Sequence, residues 1–482
     1  MAYTTVNDPS AHFQTTIYTG NGTSQDITNT GNSNLRPDWL WIKQRSGAAG
    51  VSSHVVKDSN RGVTKELYPN ADSAEGTSSL IDELLTDGFS INNTANDHYN
   101  YNGALYVAWQ WAAGGAAPSQ TYKVVVVSDS GNKYRFRNSA DNATYAASAV
   151  TLDLQEGGTY TFDVSDSSVS SHPFVIGTSA NSNEYSTGVT YKLDGVTKTY
   201  SQYTSGFSAA TTRQLIITVA ASAPTLYYWC SVHSGMGGQI NTNSEFGSTN
   251  FDGSVLSTVT ANTTAGFSIV RYTGTGSNAT IGHGLGTVPN LFFVKLRSGA
   301  GDWTSYHSVL GATKFLRLNS NNAAGTQSTY WQDTTPTSTV FSVGSAGDVN
   351  TSSGTHVAYC FSEVKGYSKF GSYTGNGNAD GNFTYTGFKP AWLMIKCTSH
   401  ASNWFIVDTT RELIQPVGDK YLKADDTSNE SSNANKDIDI LSNGFKLRSV
   451  TGFHNDAGRE FSYYAFAKAP IVASNNIIGL AR

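Results

Sequence analysis

Pro37-Asp-Trp-Leu-Trp-Ile-Lys43 decides the fold. Read in alternation, both of its residue sets are apolar, with Trp39 and Trp41 on one side and Leu40 and Ile42 on the other. A strand with that pattern is covered on both faces, as in the core of a β-sandwich. Pro37 stands just ahead of it, where a missing N–H costs no ladder hydrogen bond. The block returns as Pro289-Asn-Leu-Phe-Phe-Val-Lys295 and as Pro390-Ala-Trp-Leu-Met-Ile-Lys396.

Working outward, each copy keeps the same neighbours in the same order. Tyr18-Thr-Gly-Asn-Gly22, Tyr272-Thr-Gly-Thr-Gly276 and Tyr373-Thr-Gly-Asn-Gly377 precede the block by 19, 17 and 17 residues, counted from Tyr to Pro. Asp87-Gly-Phe-Ser-Ile91, Val340-Phe-Ser-Val343 and Asn443-Gly-Phe-Lys-Leu447 follow it. A closing strand comes last, with Ala108, Ala358 or Ala465 between bulky residues. Internal repetition of this kind governs the whole architecture. It predicts three β-sandwich (jelly-roll-like) modules of about 100 residues each, at 1–117, 246–365 and 366–482.

Composition agrees. Charged residues are 14% of the 482, while 26 Tyr, 22 Phe and 9 Trp are set among Thr, Val and 47 Gly. That mixture favours strands and turns over helices, so the chain is expected to be all-β. A net charge of −5 offers no basic field for a polyanion, which argues against nucleic acid as a partner. No apolar run is long enough for a membrane span, and Met1-Ala-Tyr-Thr-Thr-Val-Asn-Asp reads as no signal peptide. Three Cys are too few for a disulfide framework.

A stretch that repeats nothing lies between the first two modules, at 118–245, bounded by Trp111-Ala-Ala-Gly-Gly-Ala-Ala-Pro118 and Asn241-Thr-Asn-Ser-Glu-Phe-Gly-Ser248. Strands are expected at 122–127, 150–154, 160–164, 214–219 and 225–230, making a small separate β-domain. The last of them runs into Cys230-Ser-Val-His233-Ser-Gly-Met236, and an earlier strand is expected to run out into Ser170-Ser171-His172-Pro173. Two imidazoles, a thiolate and a thioether form a soft set suited to copper, with Met as the weak axial ligand. The other reading is a packed loop that keeps its fold without metal. Cys360 and Cys397 read as buried thiols.

Other candidates read as structural. Asp58-Ser-Asn-Arg61 and Asp408-Thr-Thr-Arg411 occupy comparable places in modules one and three, and a salt bridge at a turn explains them better than a ligand clamp. His54, His283 and His307 are isolated in sequence. No Gly-rich phosphate loop, Gly-x-Ser-x-Gly elbow or His-Glu-x-x-His is present. Asp82-Glu83 and Asp425-Asp426 lack the fixed partner that a glycan-cleaving carboxylate pair requires. The sequence therefore points away from an enzyme.

The segment with His172, Cys230, His233 and Met236 resembles the cupredoxins, and its short ligand loop is most similar to that of amicyanin. The resemblance implies a Greek-key β-sandwich binding copper through those four residues. The 58 residues from His172 to Cys230 depart from the family's usual spacing. The repeated blocks and the insert, in the same order, resemble virion structural proteins of marine tailed phages (cyanophages and pelagiphages), described as tail or tail-fibre components. That resemblance implies a protein located in the virion, forming homo-oligomers and meeting other virion proteins. It also implies contact with a host surface glycan or protein, for which exposed Trp residues could form a stacking platform. The stretch from Ala469 to Arg482 is apolar enough to dock on a neighbour.

Overall fold

The computed structural model describes residues 4–47, 52–92, 96, 98–114, 117–243, 246–411, 417–433, 437–450 and 454–470. The chain is all-β, strand after strand with a few short helical turns. It divides into two compact units: residues 1–113, 261–279 and 285–482 form one, and 114–260 with 280–284 the other. The three repeats thus share one unit. The C-terminal segment beyond Pro470, expected to dock on a neighbour, lies outside the described residues.

In the first module, strands Phe13–Thr19, Leu105–Trp111, Trp39–Ser46 and Val55–Asp58 form one sheet in that order. Gln25–Ile27, Gly88–Ile91 and Ile81–Leu85 form the second sheet of the sandwich. The order recurs in the third module, where Ser368–Thr374, Glu460–Pro470, Phe388–Cys397 and Trp404–Asp408 lie side by side. In the second module Phe267–Thr273, Thr355–Phe361, Leu291–Leu296 and Thr304–His307 do the same.

The doubly apolar strand now has a complete explanation. Leu40, Ile42 and Ala108 pack with Ile27, Ile81, Phe89 and Ile91 inside the first module's own sandwich. Trp39, Trp41, Trp109 and Trp111 face the other way, into a core shared with Phe293, Tyr359 and Phe361 of the second module and Trp392, Met394 and Phe466 of the third. Ring centroids meet across the seams, Trp39 on Tyr359 at 4.8 Å and Phe361 on Phe466 at 5.7 Å.

The conserved place of the lysine that ends each block is explained by the seams. Lys43, Lys295 and Lys396 are fully buried. Lys43 Nζ donates to the carbonyls of Ser52 (2.5 Å) and, in the third module, Thr427 (2.9 Å). Lys396 Nζ donates to Ser402 (2.5 Å) and, in the second, Asn321 (2.9 Å). Lys295 Nζ donates to Gly301 (2.8 Å) and, in the first, Asp72 (3.0 Å). The contacts run in one direction around the three modules and close the ring. Backbone bonds two residues further on repeat the pattern: Glu430 N–H donates to Arg45, Glu75 to Arg297 and Ala324 to Thr398, at 2.8, 2.8 and 2.9 Å. Burial holds all three ammonium groups down to about 8, nearby aspartates opposing it.

One register differs from the sequence reading. Pairing sets Ile42 opposite Ala108, Val294 opposite Ala358 and Ile395 opposite Tyr463, so the third module's counterpart is Tyr463 and not Ala465. A shift of two leaves every side chain on its proper face, which is why alternation does not reveal it. Gly371 lies opposite Tyr463, and a Cβ there would come within 2.5 Å of the Tyr463 hydroxyl.

The second unit is a two-sheet β-structure around one core. Six strands form one sheet: Asn132–Phe136, Ser119–Ser128, Thr159–Asp163, Arg213–Thr218, Val189–Leu193 and Val196–Lys198. Leu152–Gln155, Gly238–Asn243, Leu226–Cys230, Phe174–Ser179 and Ser182–Glu184 form the other. Tyr122, Phe162 and Leu215 from one sheet meet Leu154, Phe174 and Tyr228 from the other. The core continues past the expected boundary at 245, because Phe251 stacks on Phe136 at 4.8 Å. No helix among the described residues is long and apolar enough to cross a membrane.

Candidate metal centre

Strand register brings the first two candidate ligands together. Phe174 lies directly opposite Cys230 in the antiparallel pair, so His172, two residues before Phe174, is held beside the end of the Cys strand. His172 stands at the entrance to Phe174–Ser179 and not at the exit of an earlier strand. A 3₁₀ turn at Ser167–Val169, capped by Asp166, leads into it, and its N–H donates to the Val169 carbonyl at 2.8 Å. Pro173 favours extended backbone at the preceding His172 and fits the start of a strand.

The loop from Cys230 to the next strand is short because its end hugs the sheet. A Cβ on Gly237 would fall 1.7 Å from the Tyr228 carbonyl oxygen, a separation only glycine permits. The turn carries His233 back over Cys230. His172 Nδ1 and His233 Nδ1 lie 3.1 Å apart, and the Cys230 sulfur lies 3.9 Å from the first and 3.7 Å from the second. These three form the one group of metal-capable His, Cys, Asp and Glu side chains found among the described residues.

Metal bonds of about 2.0–2.1 Å to imidazole nitrogen and about 2.3 Å to thiolate sulfur put neighbouring donor atoms roughly 3–4 Å apart. The observed separations meet that requirement, and the donor set is the soft one that copper prefers. Cys230 is 2% exposed and His172 6%, whereas His233 is exposed at the edge. Burial, with His233 close by, lowers the proton affinity of His172 and keeps its ring neutral, as a ligand must be. Met236 is buried in the same apolar cluster as Cys230, and its carbonyl accepts from the Tyr134 N–H at 2.9 Å.

Residues around the triangle escaped the sequence reading. Asn132 Nδ2 is 3.4 Å from His172 Nε2, Lys133 Nζ donates to the Gly235 carbonyl, and the Tyr134 hydroxyl donates to the His172 carbonyl at 2.8 Å. From the other side, Asn181 Oδ1 accepts the Gly235 N–H at 3.0 Å. A signal for the first three was present: Asn132-Lys-Tyr-Arg-Phe136 alternates polar and aromatic residues with period two.

The remaining candidates are structural. Asp58–Arg61 and Asp408–Arg411 are fully buried ion pairs at 2.5 Å. Asp58 also accepts from the Tyr359 hydroxyl at 2.6 Å and Asp408 from the Trp109 indole at 3.0 Å, tying modules together. His54, His283 and His307 are wholly buried. His54 lies between the Trp41 indole (2.9 Å) and the Lys423 carbonyl (2.8 Å). Cys360 and Cys397 are buried thiols. Asp82 and Glu83 are exposed, whereas Asp425 is occupied by Trp404 N–H and Asn403. Eight of the nine Trp are buried and Trp229 is intermediate, so an exposed Trp platform does not form. Among the described residues, the exposed Phe and Tyr rings are Phe383 and Tyr385, at 46% and 55%.

A family model described as "Domain of unknown function (DUF7483)" matches residues 8–222 and 241–470. The stretch between the two matched segments holds Cys230, His233 and Met236. No curated protein and no solved structure matches the chain.

Proposed function

The chain belongs to the DUF7483 family, and we propose that it is a structural component of a phage virion, of the tail or tail fibre, without enzymatic activity. The observation that carries a structural role is the closed ring of Lys43, Lys396 and Lys295, each reaching into the next module. Groups that could act as nucleophiles or bases are there consumed in holding modules together. The resemblance to marine phage virion proteins supplies the setting, and other virion proteins, further copies of the chain and a host surface are the partners it implies. Immunoelectron microscopy of purified particles with antibody to the full chain tests this. Labelling at one fixed position is expected; particles without label, and without the protein by mass spectrometry, contradict it.

A second reading is favoured by the convergence of His172, Cys230 and His233: the insert is a cupredoxin-like domain that binds copper or another soft metal. His172, Cys230 and His233 would hold the ion, with Met236 as a further, weaker ligand. The bound ion would supply one-electron chemistry or a sequestered store. The sheet order, which sets the Cys strand between the strand that follows His172 and the strand that follows Met236, supports it. One equivalent of Cu(II) added to the full chain should give an intense visible thiolate-to-copper band, absent in Cys230→Ser. A colourless mixture, with the donors satisfied by hydrogen bonds among themselves, contradicts it.

A further inference from the structure

We infer that Asn132, Lys133 and Tyr134, three consecutive residues on one edge strand, form the element that positions the metal ligands, with Asn132 selecting the metal-binding tautomer of His172 and the Tyr134 hydroxyl holding the His172 backbone in place. The inference rests on the metal-binding reading above and goes beyond the four ligands that reading names.

Each of the three holds a different part of the centre. Asn132 meets the far ring nitrogen of His172 at 3.4 Å. Lys133 anchors the ligand loop at the Gly235 carbonyl. Tyr134 binds the Met236 carbonyl through its backbone N–H (2.9 Å) and the His172 carbonyl through its hydroxyl (2.8 Å). Tyr134 is fully buried and edge-on to Phe174 at 5.1 Å, which fixes its ring.

The chemistry follows from proton positions. A neutral imidazole offers Nδ1 to a metal only when its proton sits on Nε2, and that N–H then needs an acceptor. Asn132 is the side chain facing His172 Nε2, and its amide oxygen and nitrogen exchange places by a half turn. With the oxygen toward the ring, Nδ1 keeps its lone pair directed at the other two donors. The Tyr134 hydroxyl fixes the peptide that carries the His172 ring, through its bond to the His172 carbonyl.

The test is a Cu(II) titration of the full chain, read by the visible band and by reduction potential. Asn132→Ala should weaken binding roughly ten- to a hundredfold, and Asn132→Asp, which keeps an acceptor, should recover most of it. Tyr134→Phe keeps the ring and removes the hydroxyl from the His172 carbonyl; its copper affinity should fall and its reduction potential should move from the wild-type value. Asn132 is exposed on the strand, so its variants carry the test if Tyr134→Phe fails to fold. Wild-type affinity in both Asn132→Ala and Tyr134→Phe would overturn the inference. A wild-type protein with no Cys230-dependent band would instead overturn the metal reading, and this inference with it.

Discussion

Both units bury nitrogen-bearing side chains, but they point them at different things. In the three-module unit, Lys43, Lys295 and Lys396 aim ammonium groups at peptide carbonyls, donor to acceptor, and each seam is closed by the contact. In the insert, His172, Cys230 and His233 aim atoms with lone pairs at one another. Donors facing acceptors complete a structure. Lone-pair atoms facing one another leave room for a cation to complete it. The direction of the polar atoms, more than their burial, separates scaffold from site.

The largest expected break in that comparison is Cys230→Ser. It should abolish the copper band while leaving the chemical denaturation of the three-module unit unchanged, since Cys230 belongs to the insert's own core. Trp41→Ala should do the reverse. Removing a fully buried indole from the shared core is expected to cost about 3–5 kcal/mol, read as a lower denaturation midpoint, with the copper band intact. Equal loss of metal binding in both variants would erase the distinction.

Smaller effects sharpen the seams. Lys295→Met removes the Lys295 donor from the Gly301 carbonyl and one of the two donors on the Asp72 carbonyl, which keeps the Gly301 N–H, an expected cost of about 1–3 kcal/mol at pH 7. The three lysines also set a pH dependence. Burial lowers their folded pKa from 10.5 to about 8, so between those values the unfolded chain binds more protons than the folded one. The lysines' own contribution to stability should therefore rise as pH rises above about 8, and the neutral amine keeps two N–H groups for its two carbonyls. Denaturant midpoints of wild type and Lys295→Met from pH 7 to 9 check this: the gap between the two should widen as pH rises. The smallest effect belongs to Phe383→Ser and Tyr385→Ser, exposed substitutions expected to change stability by less than about 0.5 kcal/mol. Glycan-array binding lost in these two variants would locate a host contact on that strand.

Much of the scaffold could be read from sequence because it repeats. The both-faced apolar strand and its lysine recur three times at one spacing, and the structure uses both; Pro37 and Pro289 precede their strands, whereas Pro390 lies inside Phe388–Cys397 at a shift of register. What lay beyond reach was the second apolar face. Alternation says that Trp39 and Trp41 are covered, but only tertiary structure says that other modules cover them. The third closing strand was offset by two residues for a related reason, since a shift of two preserves alternation. In the insert, the four candidate ligands stood out as rare residue types near a strand end, whereas Asn132, Lys133 and Tyr134 did not. They are common residues 38 or more positions from His172 in sequence, on a strand of the other sheet, and only the facing of the two sheets brings them to it.

X-ray absorption at the copper edge on the copper-loaded full chain tests the central claim most directly. The account predicts one sulfur and two imidazole nitrogens in the first shell, with the sulfur lost in Cys230→Ser. A shell of nitrogen and oxygen alone, identical in wild type and Cys230→Ser, would contradict it.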